Sequence, residues 1–245
     1  MKEYFSHLIL YTKYFFKVLL NNKIALIFTV LFPCVMVIIN LNSPTLPEIK
    51  TTLVFWLGYL VMINALTSIT EVLTLREQGY LKQYKTIVRH ISIFLWSKAF
   101  VNWVNLTLTS CAIIIFTCIY LNVSPFRVLF LIIPICTLLY LLLIGGFSFL
   151  LILPLNQKNI SILITLIIVA MTMISNNLEV FSKSYISFFL VNLLDPLILM
   201  NTIYQMLNNE ISTKLLYSII IPIFVIFLVI GWIFIPKTRI LPSKE

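Results

Sequence analysis

Arg76, Glu77, Gly79, Tyr80, Leu81 and Lys82 stand in one short stretch, with Tyr84 and Lys85 just behind them. Their chemistry is that of docking, not of bond-making. The charged groups suit an acidic rim on a partner, the rings and Leu81 offer apolar anchors, and Gly79 permits a turn. A second constellation lies upstream. Asn64, Thr67, Ser68 and Glu71 are spaced i, i+3, i+4 and i+7, which puts an amide, two hydroxyls and a carboxylate on one helical face. Within an apolar run such a face turns toward protein or water. Glu71 is the ionisable group expected inside a span, with Arg76 or Lys98 as its partner, and its role there is to orient the loop that follows, with a proton relay as the alternative. The third feature is Asp195-Pro196, an acid just before a proline, which marks the start of a helix.

Groups that make or break bonds are scarce. The glycines Gly58, Gly79, Gly145, Gly146 and Gly231 never form a G-x-x-x-x-G-K-[ST] pattern, so no phosphate-cradling loop is expected. His7 and His90 are the only histidines, and neither has a second histidine or a cysteine at ligand spacing. Ser148 behind Gly145-Gly146 has the look of a nucleophile, yet no histidine within a span stands ready to activate it. Those small residues read instead as a close helix contact. Cys34, Cys111, Cys118 and Cys136 all fall in apolar runs and read as small apolar side chains. The expectation is a non-catalytic chain that binds neither cofactor nor metal.

The elements that carry these residues follow from composition. Charged residues make up 10% of the chain and hydrophobic ones 61%, with a mean hydropathy of +1.07. Soluble domains carry about 25% charged residues, so the sequence predicts an all-α integral membrane protein, one transmembrane domain over 1–245. Spans are expected at about 24–41, 53–75, 99–123, 128–155, 160–175 and 215–235. Pro33, Pro134 and Pro222 are kink positions inside them. A charged loop over 76–98 follows the second span, and an outer re-entrant helical hairpin over 186–207 precedes the last. No cleavable signal segment and no internal repeat are read.

Residues 4–20 form an amphipathic interfacial helix, with Lys13 and Lys17 on one face and Phe5, Leu8, Tyr11, Phe15 and Leu19 as its apolar surface. It is either a lever on the first span or a plain anchor in membrane lipid. With the N-terminus inside, every lysine and arginine except Lys50, Arg127, Lys183 and Lys214 lies on the inner side. That places both termini in the cytoplasm of a cell with the chain in its plasma membrane. The net charge of +9 is then topological and calls for no nucleic acid.

Taken together, these features resemble the permease subunits of ATP-binding-cassette exporters of the type-2 (ABC-2) family. There the second span runs into an acidic and basic pair, a glycine, a leucine and a basic residue; the matching positions here are Arg76-Glu77, Gly79, Leu81 and Lys82. Tyr80 stands where that family usually carries Thr or Ser. Asp195-Pro196-Leu197 with Tyr204 is similar to the family's Asn-Pro-Leu near the outer hairpin. The resemblance implies a separate ATPase subunit that binds ATP and magnesium and docks around Arg76–Arg89. It also implies a second permease subunit, identical or related, and an amphipathic or hydrophobic cargo: a peptide or toxin, an antimicrobial, or a lipid-like molecule leaving a bacterial cell. Without such a partner the loop is a solvated segment that fixes topology by its positive charge. Two other functions stay open, an ion-coupled secondary transporter and a non-transporting immunity or scaffold protein. Against the former stands the shortage of ionisable groups at mid-span and of repeats.

Overall fold

The computed structural model describes residues 2–21, 27, 31–32, 34–35, 39, 46–85, 92–120, 125–154, 157–176, 185–207 and 213–237. All regular structure among them is helical. The order is α1 (Lys2–Asn21), α2 (Leu46–Glu77), α3 (Tyr80–Lys85), α4 (Ser92–Tyr120), α5 (Pro125–Phe147), α6 (Gln157–Asn176), α7 (Tyr185–Leu194), α8 (Pro196–Leu207) and α9 (Thr213–Phe234). A 3-10 turn, Ser148–Leu151, closes α5, and another, Ile235–Lys237, closes α9.

Four stretches are long and apolar enough to cross a bilayer: Leu53–Glu77, Ser92–Tyr120, Val128–Leu151 and Tyr217–Lys237. At 1.5 Å per residue each exceeds the ~30 Å of hydrocarbon. A fifth is possible by composition, since α7 and α8 pass together, but they are bent by 116°. The chain is a helical transmembrane protein. Its outward faces agree: Phe126, Phe130 and Trp232 are each at least 80% exposed, a patchwork that acyl chains cover and water does not.

Several boundaries differ from expectation. α4 begins at Ser92 and not near residue 99, because Phe94 stacks on Tyr11 of α1 with ring centres 4.3 Å apart, and Ile93 and Leu95 are buried alongside. Arg76 and Glu77 belong to α2, so the expected 76–98 loop reduces to a turn, the short α3 and the residues up to 91. The expected span at 160–175 is apolar throughout only over Ile162–Ile174, shorter than the other four. The expected first span at 24–41 lies largely outside the described residues, as do Arg89 and His90.

α2 is the central helix. Leu57, Met62, Leu66, Ile69 and Leu73 are all nearly or fully buried, and α4, α5 and α8 pack around them. Helix α9 sits at the edge against α5, where glycines set the approach. A Cβ on Gly145 would lie 2.8 Å from the Phe227 carbonyl, and one on Gly231 would lie 2.9 Å from Gly145 Cα. That is the close contact of small residues expected there, and the Ser148 hydroxyl is occupied in it, donating to Gly145 O at 2.6 Å. On the other side α1 is clamped to α4: Tyr11 and Phe15 are buried, and Ser97 Oγ donates to Leu8 O at 3.2 Å.

Candidate functional site

The end of α2 is built as a turn with a brace behind it. Gln78 N still reaches Thr74 O at 3.0 Å, but Gly79 N shortens to Arg76 O at 2.9 Å. Gly79 then takes φ +76, the left-handed conformation that ends helices and that glycine adopts without a steric penalty. Lys82 N bonds Gly79 O at 3.2 Å and starts α3.

Arg76 is the brace. Its side chain is 1% exposed, its Nε donates to Glu77 Oε1 at 2.8 Å, and its Nη1 donates to Leu151 O at 3.1 Å in the turn that closes α5. Arg76 and Glu77 therefore hold the turn in place from within and do not face outward. Leu81, expected as an anchor for a partner, is fully buried and locks α3 to the core. The exposed members of the stretch are Gln78, Tyr80 and Lys82. The α3 backbone carries Tyr84 and Lys85, whose side chains lie outside the described residues. Beside Tyr80 opens a cleft of about 300 Å³ lined by Tyr11, Tyr14 and Phe15 of α1, Leu75, Gln78 and Phe94. This cleft joins the turn to α1, and the exposed rings of Tyr14 and Tyr80 flank it.

Above the turn the polar face of α2 faces protein. Asn105 Nδ2 donates to Asn64 Oδ1 at 3.3 Å, and Asn102 Nδ2 to Ser68 Oγ at 2.9 Å. Tyr140 gives its proton to Ala99 O at 2.7 Å, so the Ser68 hydroxyl, 2.8 Å away, is the donor in their contact. The Asn64 carbonyl, 2.7 Å from the same hydroxyl, competes for that proton. Thr67 turns back to Ile63 O at 2.7 Å. One turn lower Glu71 forms an ion pair with Lys98, whose ammonium also lies 5.4 Å from the centre of the Phe15 ring. Of the two partners foreseen for Glu71, Lys98 is the one engaged. The result is a continuous polar ladder joining α2, α4 and α5.

The expected helix start at Asp195 is formed: Asp195 Oδ1 accepts from Leu197 N at 2.9 Å, and buried Pro196 opens α8. Gly58 lets α8 settle on α2, with a Cβ there meeting Met200 Cβ at 3.3 Å.

Tyr140 and Ser97 take part in these arrangements and were not singled out from sequence. Each interrupts an apolar run, which was the available signal. No family model, curated protein or solved structure matches this chain.

Proposed function

We propose that this chain is the permease subunit of an ATP-driven exporter of the ABC-2 kind, with six spans, both termini cytoplasmic and α7–α8 as an outer re-entrant hairpin. The observation that carries the reading is the left-handed turn at Gly79. It ends a long span, starts a short helix with Tyr80 and Lys82 exposed, and is braced by the buried Arg76. A surface meant to take up a push from a soluble partner needs such a stiff mounting. On this reading the partner ATPase binds ATP and magnesium, and its docking cleft receives α3 with the adjacent aromatic cleft of α1. A second permease subunit completes the pathway. Amphipathic or hydrophobic cargo suits spans so poor in free polar groups, because the ladder of α2, α4 and α5 uses its polar atoms internally.

The test is to co-purify the chain with an ATPase subunit encoded beside it and to measure cargo-stimulated hydrolysis in lipid discs. Tyr80→Asp with Lys82→Glu changes the two exposed side chains of α3 and leaves the buried Leu81 and Arg76 in place. It is expected to leave insertion and melting temperature unchanged while cutting stimulated hydrolysis about tenfold or more. Full stimulation in that variant rejects docking at α3. Cysteines replacing Lys82 and Lys183 should label from the inner and outer side respectively; the reverse result rejects the orientation.

A further inference from the structure

The break between α7 and α8 holds an arrangement that a docking role does not explain. Asp195 N donates to Val191 O at 2.8 Å, so the helical turn of α7 continues to Asp195. Asn192 and Asp195, three apart on that turn, therefore share a face. Asn192 Nδ2 is committed to Phe188 O at 2.8 Å, which fixes the amide with its oxygen turned away from that bond. Asp195 Oδ1 is committed to capping α8. What remains is Asn192 Oδ1 and Asp195 Oδ2. Both residues are 0% exposed, and neither atom has a hydrogen-bond partner among the described residues.

Both of these side-chain atoms are acceptors. Pro196 has no N–H to return to the last carbonyls of α7, and the negative end of that helix points into the break. Val191, Leu197, Ile198, Leu199 and Met200 around it are apolar and buried. The helices packed on α8 bring no described charge to it. Glu71, paired with Lys98, and Arg76, paired with Glu77, lie at the far end of α2, and Lys237 is exposed beyond α9. The side chains of Glu48, Lys50, Arg127, Lys158 and Lys214 lie outside the described residues. The N-terminus of α8 faces the carboxylate with its Leu197 N–H and its positive end. Oδ2 and the neighbouring Asn192 Oδ1 still have no donor among the described residues, and two such buried acceptors call for a cation or a proton between them.

The geometry points to a binding site for one small monovalent cation at the α7–α8 break, with Asp195 Oδ2 and Asn192 Oδ1 as its side-chain ligands. A single carboxylate balances a single charge. Divalent ions call for several acidic ligands, and no cluster of three His, Cys, Asp or Glu occurs among the described residues. Interrupted helices whose C-terminal ends meet an acid and an amide suit sodium, and a proton competes for the same oxygens. Occupancy holds the 116° bend in place, since the ion bridges the last turn of α7 and the cap of α8.

The test needs neither transport nor an ATPase, so it stands or falls apart from the exporter reading. The full chain is purified in detergent and its melting temperature followed in sodium chloride or choline chloride across a pH series. Sodium is expected to raise it saturably, by about 3–5 °C at a tenfold excess over half-saturation, with half-saturation moving upward as pH falls. Asp195→Asn keeps a good helix cap and is expected to abolish the response. Asn192→Ala leaves the cap intact and should raise the half-saturating concentration about tenfold. A rise on acidification that ignores sodium, and is lost in Asp195→Asn, shows a buried carboxyl that takes up a proton in place of a metal cation, and it overturns the proposal. Equal melting in sodium and choline at every pH, or a response that survives Asp195→Asn, overturns the proposal.

Discussion

Replacing Arg76 separates a brace from a docking contact. In Arg76→Ala the Glu77 carboxylate, only 9% exposed, loses its 2.8 Å partner, and the Leu151 carbonyl loses a 3.1 Å donor. Removing one member of a buried ion pair costs about 3–5 kcal/mol because the other charge stays buried and loses its counter-ion. For a chain of this length 1 kcal/mol moves the melting temperature by about 2–4 °C, so the expected loss is roughly 6–20 °C in detergent. Arg76→Lys keeps the charge but not the fork that serves two acceptors at once, and should lose about 1–2 kcal/mol. The decisive variant is the double one. Arg76→Ala with Glu77→Ala removes the buried carboxylate as well, so it should melt higher than Arg76→Ala alone, with an interaction energy of roughly 1–3 kcal/mol between the two positions. An exposed docking arginine predicts the opposite pattern: unchanged melting and lost activity. A melting temperature for Arg76→Ala within about 1 °C of wild type, or strictly additive losses in the double variant, refutes the brace.

Two further outcomes follow from the same physics. The Glu71–Lys98 pair is lopsided, with side chains 41% and 4% exposed, so removing the wetted partner strands the buried one. Glu71→Gln should cost roughly 3 kcal/mol, whereas Lys98→Met should stay within about 1 kcal/mol, and thermal melts in the reverse order refute the assignment. The glycines are told apart by side-chain size. At Gly79 nothing lies within 4 Å of an added Cβ and the penalty comes from φ +76, so Ala and Met should each cost about 1–2 kcal/mol. At Gly145 the Cβ meets the Phe227 carbonyl at 2.8 Å, so the cost should grow steeply from Ala to Met in the same melts.

How much of this was legible in the sequence depended on whether the signal was local. The turn at Gly79, the cap at Asp195 and the helical course of α1 rest on neighbours in the chain, and reading along it found all three. The polar face of α2 was legible as a face, because helical pitch fixes which residues share it. Its partners were not, since Asn102, Asn105 and Tyr140 reach it from other helices. The same limit explains the roles of Arg76 and Leu81. A charge and a leucine at the end of a span look exposed in one dimension, and only the return of the α5 turn to Arg76 makes it a buried bracket. The start of α4 was placed too late because Ser97 and Lys98 looked like loop residues. α1 covers the one and Glu71 pairs with the other, so both fit inside a helix.

These contacts also decide where the molecule can yield. From Asn64 and Asn105 down to Arg76 and Leu151, α2, α4 and α5 are tied by hydrogen bonds at several levels, and α1 joins them through Tyr11, Ser97 and Lys98. Sliding one of these helices past another breaks several bonds together, at about 0.5–1.5 kcal/mol each and more where a charge is stranded. The seam between α5 and α9 is of another kind. It rests on glycine backbone against backbone and on Phe227, contacts that resist separation but carry no directional bond. On the proposed exporter reading, a push delivered to α3 would move α1, α2, α4 and α5 as one body and leave relative motion to the seam with α9 and to the bend between α7 and α8.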